Sequence, residues 1–141
     1  MSNELVGAWR LDSYTVRDEH GLEVRPLGEH PTGLLLITAD GWMSAHVAAA
    51  APDRPDFGSP HTLADPDQQA AAFRTYVGYA GRYRVDGERF ITRVEVSPHP
   101  NWSGTEQVRE MELTGDRLLL RGKVVRMTAD MRWRRVATRT R

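Results

Sequence analysis

Short runs in which apolar and polar residues alternate, broken repeatedly by glycine, proline and aspartate, fill most of this chain. That spacing predicts short antiparallel strands closed into a sandwich or barrel. The first strand runs from about Val6 to Arg17, with Trp9, Leu11 and Ser13 on one face and Arg10, Asp12 and Tyr14 on the other. His20-Gly21 turns the chain toward a second strand near Leu22 to Leu27. Gly33 to Thr38 and Trp42 to Val47 flank Asp40-Gly41, a hairpin signal because glycine tolerates positive φ. Residues 48–64, rich in alanine and proline, carry no period and predict a long connection that is either functional or mobile.

One helix interrupts the pattern. Asp65 suits the N-cap, Pro66 the first helical position and Gln68 the capping-box partner. Phe73, Tyr76 and Val77 then fall on one face, so the helix is expected over Pro66 to Val77, ending at Gly78. Strands resume at Tyr79 to Val85 and Arg89 to Ser97, joined by Asp86-Gly87. After a proline-bearing loop, Ser97 to Gly104, come Thr105 to Leu113, a turn at Thr114-Gly115-Asp116, Leu118 to Arg121, and Met131 to Val136. The count of about eight or nine strands favours a closed up-and-down antiparallel β-barrel with one short helix, since closure leaves no exposed edge. Residues 1–141 read as a single all-β domain.

Composition changes this picture mainly by exclusion. A chain of 141 residues, 40% hydrophobic and 27% charged, can bury one good core. Its 19 basic and 19 acidic residues cancel, so no net field draws nucleic acid or an acidic membrane. The arginines near the end (Arg132, Arg134, Arg135, Arg139, Arg141) then read as a solvated terminus. Cysteine is absent, which excludes disulfides, thiolate catalysis and cysteine-rich metal sites. The five histidines lack metal-ligand spacing, and no phosphate-cradling glycine motif or nucleophile elbow occurs, so no cofactor is expected. With neither a leader-like start nor an apolar run of about 18 residues, the expected setting is soluble and cytoplasmic.

Several segments carry a resemblance. They are Leu5-Val6-Gly7-Ala8-Trp9-Arg10-Leu11, Gly33-Leu34-Leu35, Ala39-Asp40-Gly41-Trp42-Met43-Ser44-Ala45 and Tyr79-Ala80-Gly81-Arg82-Tyr83. Further on stand Val94-Glu95-Val96-Ser97, Pro100-Asn101-Trp102, Gly104-Thr105-Glu106-Gln107-Val108-Arg109 and Trp133-Arg134-Arg135. In this order they resemble the bacterial and fungal lipocalin-like domain family over nearly the whole chain. The resemblance implies a small barrel around a central cavity, companionship with secondary-metabolite enzymes, and a cyclase or isomerase role. Gly7-Ala8-Trp9 also resembles the opening of true lipocalins, which implies that Arg134 or Arg135 packs on Trp9 at the closed end.

Strand parity selects the candidate site. Met111 and Leu113 face the core, so Gln107 and Arg109 share that face. An inward arginine needs a partner, either a ligand carboxylate, phenolate or enolate, or a carboxylate of the chain such as Glu95. Glu95 is the candidate base, although Val94 and Val96 would turn it outward toward Arg82 or Arg84 unless a bulge intervenes. His46, on a face with Trp42 and Ser44, is either a general acid–base at the cavity mouth or a solvated strand-end residue. His99 in the proline loop is the other histidine of interest. Tyr76, Tyr79 and Tyr83 supply either an aromatic pocket wall with polar tips or ordinary core. The reading is a barrel binding a hydrophobic small molecule. Arg109, His46 and Glu95 would be catalytic, and Tyr83, Tyr79, Tyr76, Gln107, Trp42 and Met111 would hold the substrate. Its function is either that of a cofactor-free cyclase or isomerase on an apolar, polyketide-like metabolite, or that of a carrier. The helix and the loop before it would cover the mouth. A filled barrel would instead make exposed Tyr14 and Val16 an interface, as in a homodimer.

Overall fold

The computed structural model describes residues 2–62 and 64–137, so Arg139 and Arg141 lie outside the described residues. Its elements are β1 (Gly7–Arg17), β2 (Glu23–Val24), β3 (Thr32–Ile37), β4 (Trp42–Ala48), α1 (Pro66–Arg74), β5 (Tyr76–Asp86), β6 (Arg89–Val96), β7 (Glu106–Thr114), β8 (Arg117–Val124) and β9 (Met127–Arg135). Antiparallel pairing runs β1-β3-β4-β5-β6-β7-β8-β9 and returns from β9 to β1, which closes an eight-stranded barrel. The ninth strand, β2, adds only Val16↔Val24 and Arg17↔Glu23 to the outer end of β1. The expected up-and-down barrel therefore forms, with the Leu22 to Leu27 strand reduced to two residues.

One end of the barrel is filled. Trp9, Leu35, Phe90, Leu118 and Trp133 are buried there. A short 3-10 turn, Ser2–Leu5, crosses beneath them, and the Trp9 indole donates to the Leu5 carbonyl at 3.0 Å. Arg135, not Arg134, lies over Trp9, 4.2 Å from the ring centroid. Its guanidinium also donates to the Val6 and Glu4 carbonyls, tying the last strand to the first. Arg134 points outward to Asp12 at 3.1 Å.

Two departures from the expected elements matter. The helix stops at Arg74, because the Thr75 hydroxyl turns back to the Ala71 carbonyl and Tyr76 and Val77 enter β5 opposite Ala48 and Val47. Aromatic and β-branched side chains gain more on a pleated, half-buried surface than on a helix that buries no residue of its own. Asp65 is the expected N-cap, accepting from the Gln68 amide at 2.9 Å, but the side chain that turns back is that of Gln69, donating to the Ala64 carbonyl at 2.7 Å. The second departure is in β1. The register against β9 shifts between Leu11 and Ser13, and a bulge inverts the parity of everything beyond it.

Candidate functional site

That inversion turns Tyr14 into the barrel. It stands opposite Met131, and Val16 stands opposite Ala129, where unbroken alternation would have put both on the outer surface. Tyr14, Met131 and Ala129 line an interior cavity of about 200 Å³ at the end away from Trp9. Ala45 and Val47 from β4 and Val77 and Tyr79 from β5 form the facing wall. Small residues hold the space open. Opposite strands meet there through alanine and through Gly122, where a Cβ would come within 3.1 Å of the Arg109 Nε. Trp102, in the connection between β6 and β7, closes the outer end, edge-on to Tyr79 at 5.8 Å and stacked on His99 at 5.0 Å.

The polar end of this cavity is Arg109. It projects from β7 on the inner face with Gln107, as parity predicted, opposite Phe90 and Thr92 respectively. Its guanidinium donates to the Gln107 Oε1 at 3.0 Å and to the Val108 carbonyl at 3.1 Å, and it lies 6.0 Å from the Tyr79 ring centroid. Its Nε is buried without an acceptor, as is the Thr92 hydroxyl. Among the described residues no carboxylate pairs with Arg109, so the expected internal partner Glu95 is not used. Burial pushes the Tyr14 hydroxyl above its ordinary pKa, while the Arg109 charge pulls the other way. Tyr14 thus presents a neutral O–H and Arg109 a cation to whatever occupies the space.

A model of the lipocalin-like domain matches residues 6–140. This chain belongs to the lipocalin-like domain family. A 4'-hydroxy-3'-methoxypropiophenone carrier protein of Aspergillus oryzae is 37% identical over 87 residues, covering 55% of this chain and 77% of that protein. The crystal structure of a lipocalin-like protein from Bacteroides uniformis superposes with a TM-score of 0.51 at 12% identity, covering 95% of this chain and 100% of that one. At that identity the likeness is one of fold.

The lipocalin-like barrel gathers only part of the predicted set. Arg109 and Tyr79 line the cavity and Gln107 braces the arginine. Tyr83 lies deeper, stacked on Phe90 at 5.0 Å with its hydroxyl donating to the Thr38 carbonyl at 2.7 Å. Met111 faces inward near the filled end, at the edge of a broad solvent-open cleft of about 580 Å³ beside Leu5 and Glu88. That cleft is larger than the interior cavity, but its openness and lack of enclosing wall make it the poorer ligand site.

Four predicted site residues lie outside the barrel instead of lining its cavity. His46 and Trp42 point to the outer face, because Met43, Ala45 and Val47 take the inner one. His46 Nδ1 is 2.7 Å from the Tyr76 hydroxyl, and the Trp42 ring is covered by Arg82 at 4.2 Å. Tyr76 therefore belongs to the outer wall as well, beneath the Arg54 guanidinium at 4.9 Å. Glu95 falls at a bulge, where the β5–β6 register shifts between Val94 and Val96, yet it stays exposed outside the barrel with Val96, which was expected inward. Its expected neighbour Arg84 pairs instead with Glu106 at 2.7 Å. Sequence reasoning missed Tyr14, Trp102, Gly122 and Ala129. No residue signal marks the bulge that turns Tyr14 inward, whereas Trp102 was visible as an aromatic in a proline-rich loop. The helix, expected over the mouth, supplies no cavity wall. Among the described residues no helix is long and apolar enough to cross a membrane.

Proposed function

We propose that this barrel holds one small, mostly apolar molecule in its interior cavity and works as a carrier. The observation that carries the reading is a partly enclosed space of about 200 Å³ walled by alanine, valine, methionine and aromatic side chains, with Arg109 as its charged group. That arrangement is the usual build of a small-molecule site. The volume lies below the roughly 300 Å³ at which drug-sized pockets begin, so it suits a single ring or short chain rather than a fused polyketide. The carrier name of the Aspergillus oryzae relative supports the same reading, and its aryl ketone is of that size class.

The cyclase or isomerase reading keeps one supporting observation. Tyr14 and Arg109 both line the cavity, close enough for the charge to act on the phenol, and an O–H and a cation there would polarise a carbonyl. Proton transfer at carbon also needs an acceptor. Among the described residues no carboxylate or imidazole lines the cavity, and burial holds Tyr14 protonated. Binding without turnover is the better account.

Propiophenone and larger fused-ring ketones, titrated while tryptophan fluorescence is followed, test it. One saturable site for the single-ring compound and weak binding of the larger ones is the expected result. Extraction and mass spectrometry should return the ligand unchanged. Absence of saturable binding by any apolar probe would sink the cavity reading, and a rearranged product would favour the isomerase.

A further inference from the structure

We infer that the cavity selects molecules bearing a single anionic oxygen group, a carboxylate or a phenolate, whose charge is matched by Arg109. The inference rests on the interior-binding reading and specifies its ligand. The state of Arg109 points to it. Arg109 faces the cavity with no carboxylate partner among the described residues, although Asp12, Asp116, Asp130 and Glu106 each pair with arginines elsewhere in the same barrel. A half-buried guanidinium without a counter-charge is unfavourable unless something supplies one. Its two hydrogen bonds, to a neutral amide and a backbone carbonyl, use fewer N–H donors than it carries, and its Nε has none of its own.

The surroundings are arranged to leave that charge available. Gln107 fixes the fork from one side without neutralising it. Gly122 clears the other side, where a side chain would meet the Nε, Cδ and Cζ at 3.1–3.2 Å. Tyr14 adds a donor from β1, kept as O–H by its burial. A planar cationic fork with a neighbouring hydroxyl donor matches an oxyanion better than any neutral acceptor, because hydrogen bonds to charged partners are shorter and stronger. The apolar walls then receive the body of the molecule, so the ligand is an amphiphile with one charge at one end.

Calorimetry on the full chain compares 3-phenylpropionate with 3-phenylpropanamide, which share a body and differ in charge. The carboxylate is expected to bind about tenfold or more tightly, and Arg109→Met should erase that preference while the amide still binds. Tyr14→Phe, which leaves the arginine in place, should weaken the carboxylate several-fold and serves if Arg109→Met fails to fold. 4-Nitrophenol, which absorbs visible light only when ionised, separates the two sources of the anion. Its uptake as the coloured form with no carboxylate preference would assign the phenolate. Equal binding of acid and amide, with nitrophenol colourless or unbound, would overturn the anion inference and leave the cavity reading standing. If no probe, charged or neutral, binds at all, both fall together.

Discussion

Asp130 is only 2% exposed, yet it sits on the outer wall of β9 beneath a cluster of arginines. Arg121 grips it with two bonds, 2.8 and 3.2 Å, and Arg17 and Arg132 approach at 3.2 and 3.6 Å. The Arg121 hydrogen bonds hold its carboxyl below the ordinary carboxylate range, helped by the charges of all three arginines and opposed by burial. A depressed carboxylate contributes stability above its unfolded pKa near 4 and loses it as pH falls through the lower folded value. Asp130→Asn should therefore lower stability by about 2 kcal/mol at neutral pH, less than for a fully buried pair because the arginines are partly solvated. Denaturant titrations at pH 7 and pH 3 should show that difference shrinking on the acid side; an unchanged difference would mean that packing, not charge, is responsible. Arg109 was legible by the same kind of reasoning, since parity from Met111 and Leu113 carries directly to it. Tyr14 was not, because one shifted pair in β1 reverses its direction and no residue type announces the shift.

At the scale of elements, turns with glycine were read correctly and the turn without it was missed. Val125 links β8 to β9 at φ +55°, 95% exposed, a conformation that costs a β-branched residue free energy. Nothing in Val124-Val125-Arg126-Met127 signals a hairpin, so β9 was expected to begin at Met131 rather than Met127. Val125→Gly should raise stability by about 1 kcal/mol, seen as a higher denaturant midpoint with unchanged slope. The helix was overextended for a different reason: its apolar spacing continued to Val77, but the strand pairing of Tyr76 and Val77 with β4 prevailed. The β6–β7 connection has the more direct link to binding. Trp102 is shared between the interior cavity and a shallower outer pocket of about 180 Å³ that also touches Phe73 and His99. Removing its indole should join the two spaces. Trp102→Ala is expected to speed ligand release at least tenfold in stopped-flow displacement, with a smaller change in association; an unaltered release rate would mean that ligand leaves by another path.

For the whole molecule, closure and hollowness are separate properties with different visibility. Closure follows from strand number and turn spacing, and the pairing of β9 with β1 from Trp9↔Arg135 to Arg17↔Thr128 completes it. Hollowness depends on whether summed side-chain volumes fall short of the barrel's interior, a small difference between large totals that alternation does not encode. Here the filled end takes three aromatic side chains, Trp9, Phe90 and Trp133, while Ala45, Gly122 and Ala129 fall at the other. A ligand in that void touches β1, β4, β5, β7, β8 and β9 together, so it cannot stay bound once the barrel opens. Its binding free energy is then linked directly to global unfolding. At a hundredfold excess over Kd that linkage is about 2.7 kcal/mol, which for a chain of this length corresponds to a rise in Tm on the order of 10 °C. The rise should grow with the logarithm of ligand concentration and shrink for 3-phenylpropionate in the Arg109→Met protein. A ligand that binds without raising Tm must bind the unfolded chain about as well, and so is not held in the barrel interior.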